Sequence, residues 1–218
     1  MIKNGIGGTN TQTGIVFEKK VELATRLNKL DGYKCVEVKY KKIRSKSYEI
    51  YFEKKLVAQT FQKHALYSFL EERKIDWKKI LSKKLLPDDT IYVIKDNTIY
   101  ILEMKFQEVD GSVDEKLQTC DFKKKQYKKL FFQLNYEVEY IYILSNYYQA
   151  TKYKDVLDYI ISVNCSYYLE KINNLWLKVI FRAWLLLYLI PINRLLLHFS
   201  YFLVKQCFAL SVRFKFGF

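Results

Sequence analysis

Apolar and polar positions along this chain follow two periods for about three quarters of its length, and then the pattern stops. From Thr13-Gly14 to about Leu30, Val16, Leu23, Leu27 and Leu30 share one helical face, widened by Phe17, Val21 and Ala24; Asp31-Gly32 closes the segment. Tyr33 to Tyr40 and Ser47 to Phe52 alternate with period two, which predicts antiparallel strands joined by a Lys- and Arg-rich turn. Thr60 to Lys74 predicts a helix, with Phe61, Leu66, Phe69 and Leu70 apolar, and a short second helix starts at Asp76. Thr90 to Lys95 and Thr98 to Lys105 are rich in β-branched and aromatic residues and are separated only by Asp96-Asn97, which predicts a hairpin with a two-residue turn. A glycine loop, Asp110-Gly111-Ser112, leads to a long helix from about Asp114 to Leu134, its inner face marked by Leu117, Cys120, Tyr127, Phe131 and Leu134. Glu137 to Leu144 then alternates as a strand and Lys152 to Ile161 as a helix. This order predicts an α/β fold around a mixed sheet.

The pattern ends near residues 165–175, so the expected division is an ordered domain over 1–170 and an apolar basic tail over 171–218. No Asp or Glu follows Glu170, while Lys171, Lys178, Arg182, Arg194, Lys205, Arg213 and Lys215 do. The uninterrupted apolar stretches, Ala183 to Ile192 and Leu195 to Leu197, fall short of the about 20 residues a membrane span needs. Joining them across Pro191 to Arg194 would bury an Arg near mid-span, so membrane contact by the tail is not the favoured expectation. Two origins stay open for it: a shifted reading frame in AT-rich coding DNA, or a genuine interfacial or packed helix.

Composition narrows the partner. Half of the 218 residues are hydrophobic, enough for a full core, and 37 Lys and Arg against 23 Asp and Glu leave a formal charge of +14. Such a surplus favours a polyanion, either nucleic acid or an anionic membrane surface. Cys35, Cys120, Cys165 and Cys207 form no CxxC pair, which argues against a disulfide framework or a zinc site and for free thiols in a reducing cytoplasm. Met1 to Gln12, polar and glycine-rich, does not read as a signal peptide, so the expected location is cytoplasmic.

The hairpin carries the candidate chemistry. Pairing outward from Asp96-Asn97 sets Lys95 opposite Thr98, Thr90 opposite Glu103 and Asp88 opposite Lys105. With no bulge, Asp88, Thr90, Glu103 and Lys105 then share one face, and Asp89 and Met104 the other. Two carboxylates and an ammonium on a buried strand pair are costly unless a cation joins them. Asp88, Glu103 and a main-chain carbonyl near Met104 are hard oxygen donors that suit Mg²⁺. Lys105 beside them could orient a water and stabilise developing charge, so the set fits phosphodiester hydrolysis. The plain alternative makes Asp88 a turn residue after Pro87, and Glu103 with Lys105 an exposed ion pair. Ile99, Ile101 and Met104 mark a central strand and weigh against it.

Pro87-Asp88, fourteen further residues, and Glu103-Met104-Lys105 resemble the PD-(D/E)XK nuclease signature. The resemblance implies an αβββαβ core with the signature on its second and third strands. It extends to type II restriction endonucleases over roughly residues 5–170, including Gly14-Ile-Val-Phe-Glu18, Gly111 to Thr119 and Asp121 to Tyr127. It further implies Mg²⁺ as cofactor, double-stranded DNA cut at a short site, a homodimer, and a cognate DNA methyltransferase encoded nearby. Glu18 becomes an additional metal ligand by the same resemblance, although it also suits the first turn of its helix, and Gln126 a possible supporting residue. Tyr127 reads as core, His64 as surface and Asp89 as structural. Lys41, Lys42 and Arg44 in one basic cluster, and Lys123, Lys124 and Lys125 with Lys128-Lys129 in another, are candidate phosphate contacts or simply solvated faces. Two other readings stay open: a PD-(D/E)XK nuclease of repair or junction resolution, and a non-enzymatic membrane-associated basic protein, which leaves the acidic hairpin face unexplained.

Overall fold

A computed structural model describes residues 23–40, 43–108 and 113–169, all within one compact unit, Met1–Asn173. Glu18, Lys41, Lys42, the glycine loop at 110–112 and the tail at 171–218 lie outside the described residues. Of the first predicted helix, Leu23–Leu27 is described and is called α1. The chain leaves it through Gly32, whose φ of +80° is left-handed and whose missing Cβ would stand 2.8 Å from the Phe52 ring.

Among the described residues, seven strands form one sheet in chain order: β1 (Tyr33–Glu37), β2 (Ser47–Phe52), β3 (Lys55–Phe61), β4 (Asp89–Val93), β5 (Thr98–Lys105), β6 (Glu137–Leu144) and β7 (Ser166–Leu169). The first five are antiparallel; β6 joins β5 in parallel, and β7 joins β6 in parallel. Helices flank the sheet: α2 (Ala65–Glu72), α3 (Val113–Leu117), α4 (Cys120–Phe131) and α5 (Lys154–Ser162). The expected α/β class with a mixed sheet is what the chain forms. Parallel neighbours need long crossovers, and α3, α4 and α5 lie in those two connections.

Several elements differ from the pattern. Strand β3 departs from the apolar pattern, which predicts a helix from Thr60; the helix starts only at Ala65, and Thr60 and Phe61 end the strand. Its turn, Glu53-Lys54, has both residues at positive φ (47° and 67°) without the Asn-Gly pair that usually announces such a hairpin. The long helix is broken at Gln118-Thr119, where Thr119 Oγ1 donates to the Lys116 carbonyl at 2.7 Å in place of continued helical bonding. Strand β7, four residues long, is too short to announce itself by alternation. The β4–β5 connection is four residues, Ile94–Asn97, closed by Asn97 at φ +49°, and not the two-residue turn expected.

One face of the central strands supplies a continuous core. Tyr92, Ile99, Ile101, Tyr140 and Tyr142 meet Leu66 and Phe69 of α2 and Tyr127 and Phe131 of α4. Removing this aromatic surface from water anchors the helices over β4, β5 and β6. Among the described residues no helix is long and apolar enough to cross a membrane.

Candidate active site

The longer loop changes the strand register. Val93 pairs with Thr98, Thr90 with Ile101 and Asp89 with Leu102, so continuing the ladder by one residue sets Asp88 opposite Glu103 rather than Lys105. The shift is two residues, and the side-chain period is also two, so the expected face is preserved. Asp88, Thr90, Glu103 and Lys105 remain together. Asp89 and Met104 project to the other side, where Asp89, only 2% exposed, accepts from the Thr90 amide at 2.9 Å.

The cluster sits where β4 begins and β5 ends, at the strand where pairing changes from antiparallel to parallel. Ligand sites of open α/β sheets favour such positions at the carboxyl ends of strands. Asp88 Oδ2 accepts from the Met104 amide at 2.7 Å and lies 3.8 Å from Lys105 Nζ. Lys105 Nζ donates to Glu103 Oε2 at 2.8 Å and to the Met104 carbonyl at 3.3 Å. The second Glu103 oxygen, Oε1, accepts from Lys123 Nζ of α4 at 3.1 Å. Burial works to raise the Glu103 pKa, but the Lys105 and Lys123 ammoniums outweigh it and hold the carboxyl below its ordinary value. Beyond Lys105 the backbone is latched: its carbonyl accepts from the Ser145 amide, Ser145 Oγ donates to the Gln107 carbonyl, and Tyr148 donates to Gln107 Oε1.

Among the described residues, the hydroxyls of Thr90 and Tyr127 in this region have no hydrogen-bond partner, and the Tyr140 hydroxyl has none but the neighbouring Tyr142 phenol. The phenols of Tyr127 and Tyr140 are pushed upward, by burial first and then by the charge of Glu103, so they stay protonated and can serve as donors. Tyr127 is core, as expected, and its hydroxyl also feels the charge of Asp88.

The lysine run of α4 divides. Lys123 enters the strand cluster. Lys124 is buried, donating to Glu139 Oε2 at 2.9 Å and to the Asn164 carbonyl, so it is not presented to a phosphate. Lys125 is exposed and pairs with Asp121 at 2.7 Å. Gln126 is half-buried one helical turn after Lys123. Lys123, expected as a phosphate contact, stands against Glu103, a contact that expectation does not include. The signal was present: position 123 lies three residues after Cys120 and four before Tyr127, both inner-face markers. Arg44 is exposed on the β1–β2 loop, and His64 is exposed as expected. This loop is tied to the approach to Asp88: the Gln62 amide donates to the Lys46 carbonyl, the His64 amide to Ser45 Oγ, and the Lys63 amide to the Pro87 carbonyl.

Among the described residues no three His, Cys, Asp or Glu side chains come together; Asp88 and Glu103 are two. Mg²⁺ is commonly held by one or two carboxylates with water and substrate phosphate completing its shell. Asp88, Glu103 and the Met104 carbonyl therefore fit such an ion, and the unpartnered hydroxyls beside them are polar groups that a hydrated ion or phosphate could engage. Compared with known proteins, the chain matches no family model, no curated protein and no solved structure.

Proposed function

We propose that the chain is a Mg²⁺-dependent type II restriction endonuclease of the PD-(D/E)XK kind, hydrolysing double-stranded DNA at a short specific site. The observation that carries this reading is the meeting of Asp88, Glu103 and Lys105 at the edge of two adjacent strands, with Lys105 Nζ 2.8 Å from Glu103 and 3.8 Å from Asp88. The elements α1, β3, β4, β5, α4 and β6 follow one another in this sequence, with β1 and β2 inserted after α1, α2 after β3 and α3 before α4, and β6 runs parallel to β5. This order supports a reading as an αβββαβ core whose second and third strands would carry the signature. The net charge of +14 supports a polyanionic substrate.

Asp88 and Glu103 would hold the ion, with the Met104 carbonyl as a third oxygen. Bound there, Mg²⁺ supplies charge neutralisation at the phosphate and acidifies water. Lys105 orients the attacking water and stabilises the negative charge that develops on the phosphate. Arg44 and Lys125 offer exposed charge to flanking phosphates. A homodimer would supply two sites for two strands, and a neighbouring methyltransferase would protect the host sequence.

Incubating the purified protein with mixed-sequence DNA and Mg²⁺, then sequencing the ends, tests the reading. Ends sharing one short sequence are expected, and Glu103→Ala and Lys105→Ala should abolish them while DNA binding survives. A folded wild-type protein that leaves the DNA intact, or a Glu103→Ala variant that cuts normally, overturns it.

A further inference from the structure

Glu103 is 6% exposed, and each of its oxygens carries an ammonium: Lys105 on Oε2 and Lys123 on Oε1. Together with Asp88 these side chains form a cluster of two negative and two positive charges. Lys105 belongs to the same strand as Glu103, but Lys123 reaches across from α4 and is the more exposed of the two, with 27% of its side chain open against 18% for Lys105. A flexible four-carbon stem lets such an ammonium change partners without moving its helix.

Among the described residues these four charges balance, so a divalent cation entering the cluster adds two positive charges in excess of them. In a largely buried site that excess opposes binding. It is relieved if an ammonium leaves Glu103 and if an anion arrives. A phosphodiester is such an anion, and Lys123, at the more open side, is the ammonium able to follow it. The Tyr127 phenol, unpartnered and close enough for the Glu103 charge to act on it, is a donor available to the oxygen Lys123 would vacate.

We propose that Lys123 is a resident counter-ion that holds the Glu103 carboxylate until a DNA phosphate is present, and that its transfer from Glu103 to the phosphate couples divalent-cation binding to DNA binding. The inference rests on the reading that Asp88 and Glu103 hold the cation. Lys123 is thus a positioning residue acting through Glu103. Coupling of this kind is reciprocal, so DNA must tighten the cation by the same factor as the cation tightens DNA.

Manganese binding to the full chain, followed by electron paramagnetic resonance at fixed pH and salt, reads this without turnover. It is measured alone and with a cleavage-resistant phosphorothioate duplex of mixed sequence, with uptake by the duplex itself subtracted. The wild-type protein should bind Mn²⁺ at least about five-fold more tightly when the duplex is present, the lower end of typical coupling. Lys123→Gln should bind it about five-fold more tightly than wild type without DNA, with little further gain from the duplex. Lys123→Met, closer in shape and also uncharged, reads the same if the Gln variant melts early. Wild-type affinity in both folded variants without DNA overturns the inference and leaves the cation site standing, provided that Glu103→Gln abolishes binding. No Mn²⁺ uptake by wild type or variants, with or without duplex, overturns the cation reading and the inference with it.

Discussion

The β4–β5 strand pair and the lysine run of α4 both bring charge to the candidate site, yet they tolerate misplacement differently. On the strands, the pairing read outward from Asp96-Asn97 differs by two residues from the pairing formed, and Asp88, Thr90, Glu103 and Lys105 still share a face. On the helix, Lys123, Lys124 and Lys125 are consecutive and rotate by about 100° per residue. They end in three environments: against Glu103, buried between Glu139 and Asn164, and in solvent beside Asp121. A strand cluster is set by parity, which survives an even slip. A helical cluster is set by phase, and a single residue changes the partner.

The largest effect expected on the strand side comes from Asp88→Asn, which should lower DNA turnover by about 100-fold or more, the size typical of losing a group that stabilises the reacting centre. Asp89→Asn should leave turnover within about ten-fold and act instead on melting temperature, because its buried carboxylate serves the Thr90 amide on the opposite face. Steady-state cleavage and thermal melts of both variants decide this; equal turnover losses in two well-folded proteins would break the parity argument.

The helix side is tested next by stability and salt. Lys124→Ala removes charged hydrogen bonds from a buried position and should cost about 1.5–3 kcal/mol by chemical denaturation, leaving the salt dependence of DNA binding unchanged. Lys125→Ala should leave stability nearly unchanged, because its ion pair with Asp121 is solvent-exposed, and lower the log–log salt slope by about one if its ammonium meets a phosphate. The reverse pattern would place the helix in a different phase.

Acid sharpens the contact between the two regions. The Glu103 pKa is held below 4.5, so its ion pairs stabilise the fold above that pH, and this stability is lost as pH falls through the lowered folded value. Removing one ammonium in Lys123→Ala lets burial weigh more heavily and should move the onset of acid unfolding to higher pH. Circular dichroism against pH measures the onset; coincident curves would mean that Lys123 does not hold Glu103 in solution.

A modest effect concerns the unannounced hairpin before β3. Lys54 adopts φ 67°, a conformation that costs a side-chain-bearing residue about 1–2 kcal/mol. Lys54→Gly should therefore raise unfolding stability by up to about 1 kcal/mol, less the added freedom of the unfolded chain. A destabilised Lys54→Gly protein would argue against the Glu53-Lys54 turn and the β2–β3 register built on it.

By itself the sequence determined what depends on near neighbours. Period two identified β1, β2, β4, β5 and β6, helical spacing identified the inner face of α4, and parity placed Asp88, Glu103 and Lys105 together. Where a local signal was weak, local reading failed: Glu53-Lys54 lacks a turn signature, Thr119 interrupts a helix whose apolar spacing continues, and β7 is too short to show a period. Tertiary structure alone decided the four-residue closure at Asn97, the parallel pairing of β6 with β5 and β7, and the meeting of Lys123 with Glu103, twenty residues apart. Periodicity assigns each residue to a side of its own element. Which residue of another element stands opposite is set by packing of the shared core, where Tyr127 and Phe131 of α4 settle against Tyr140 and its neighbours and carry Lys123 to the strand edge.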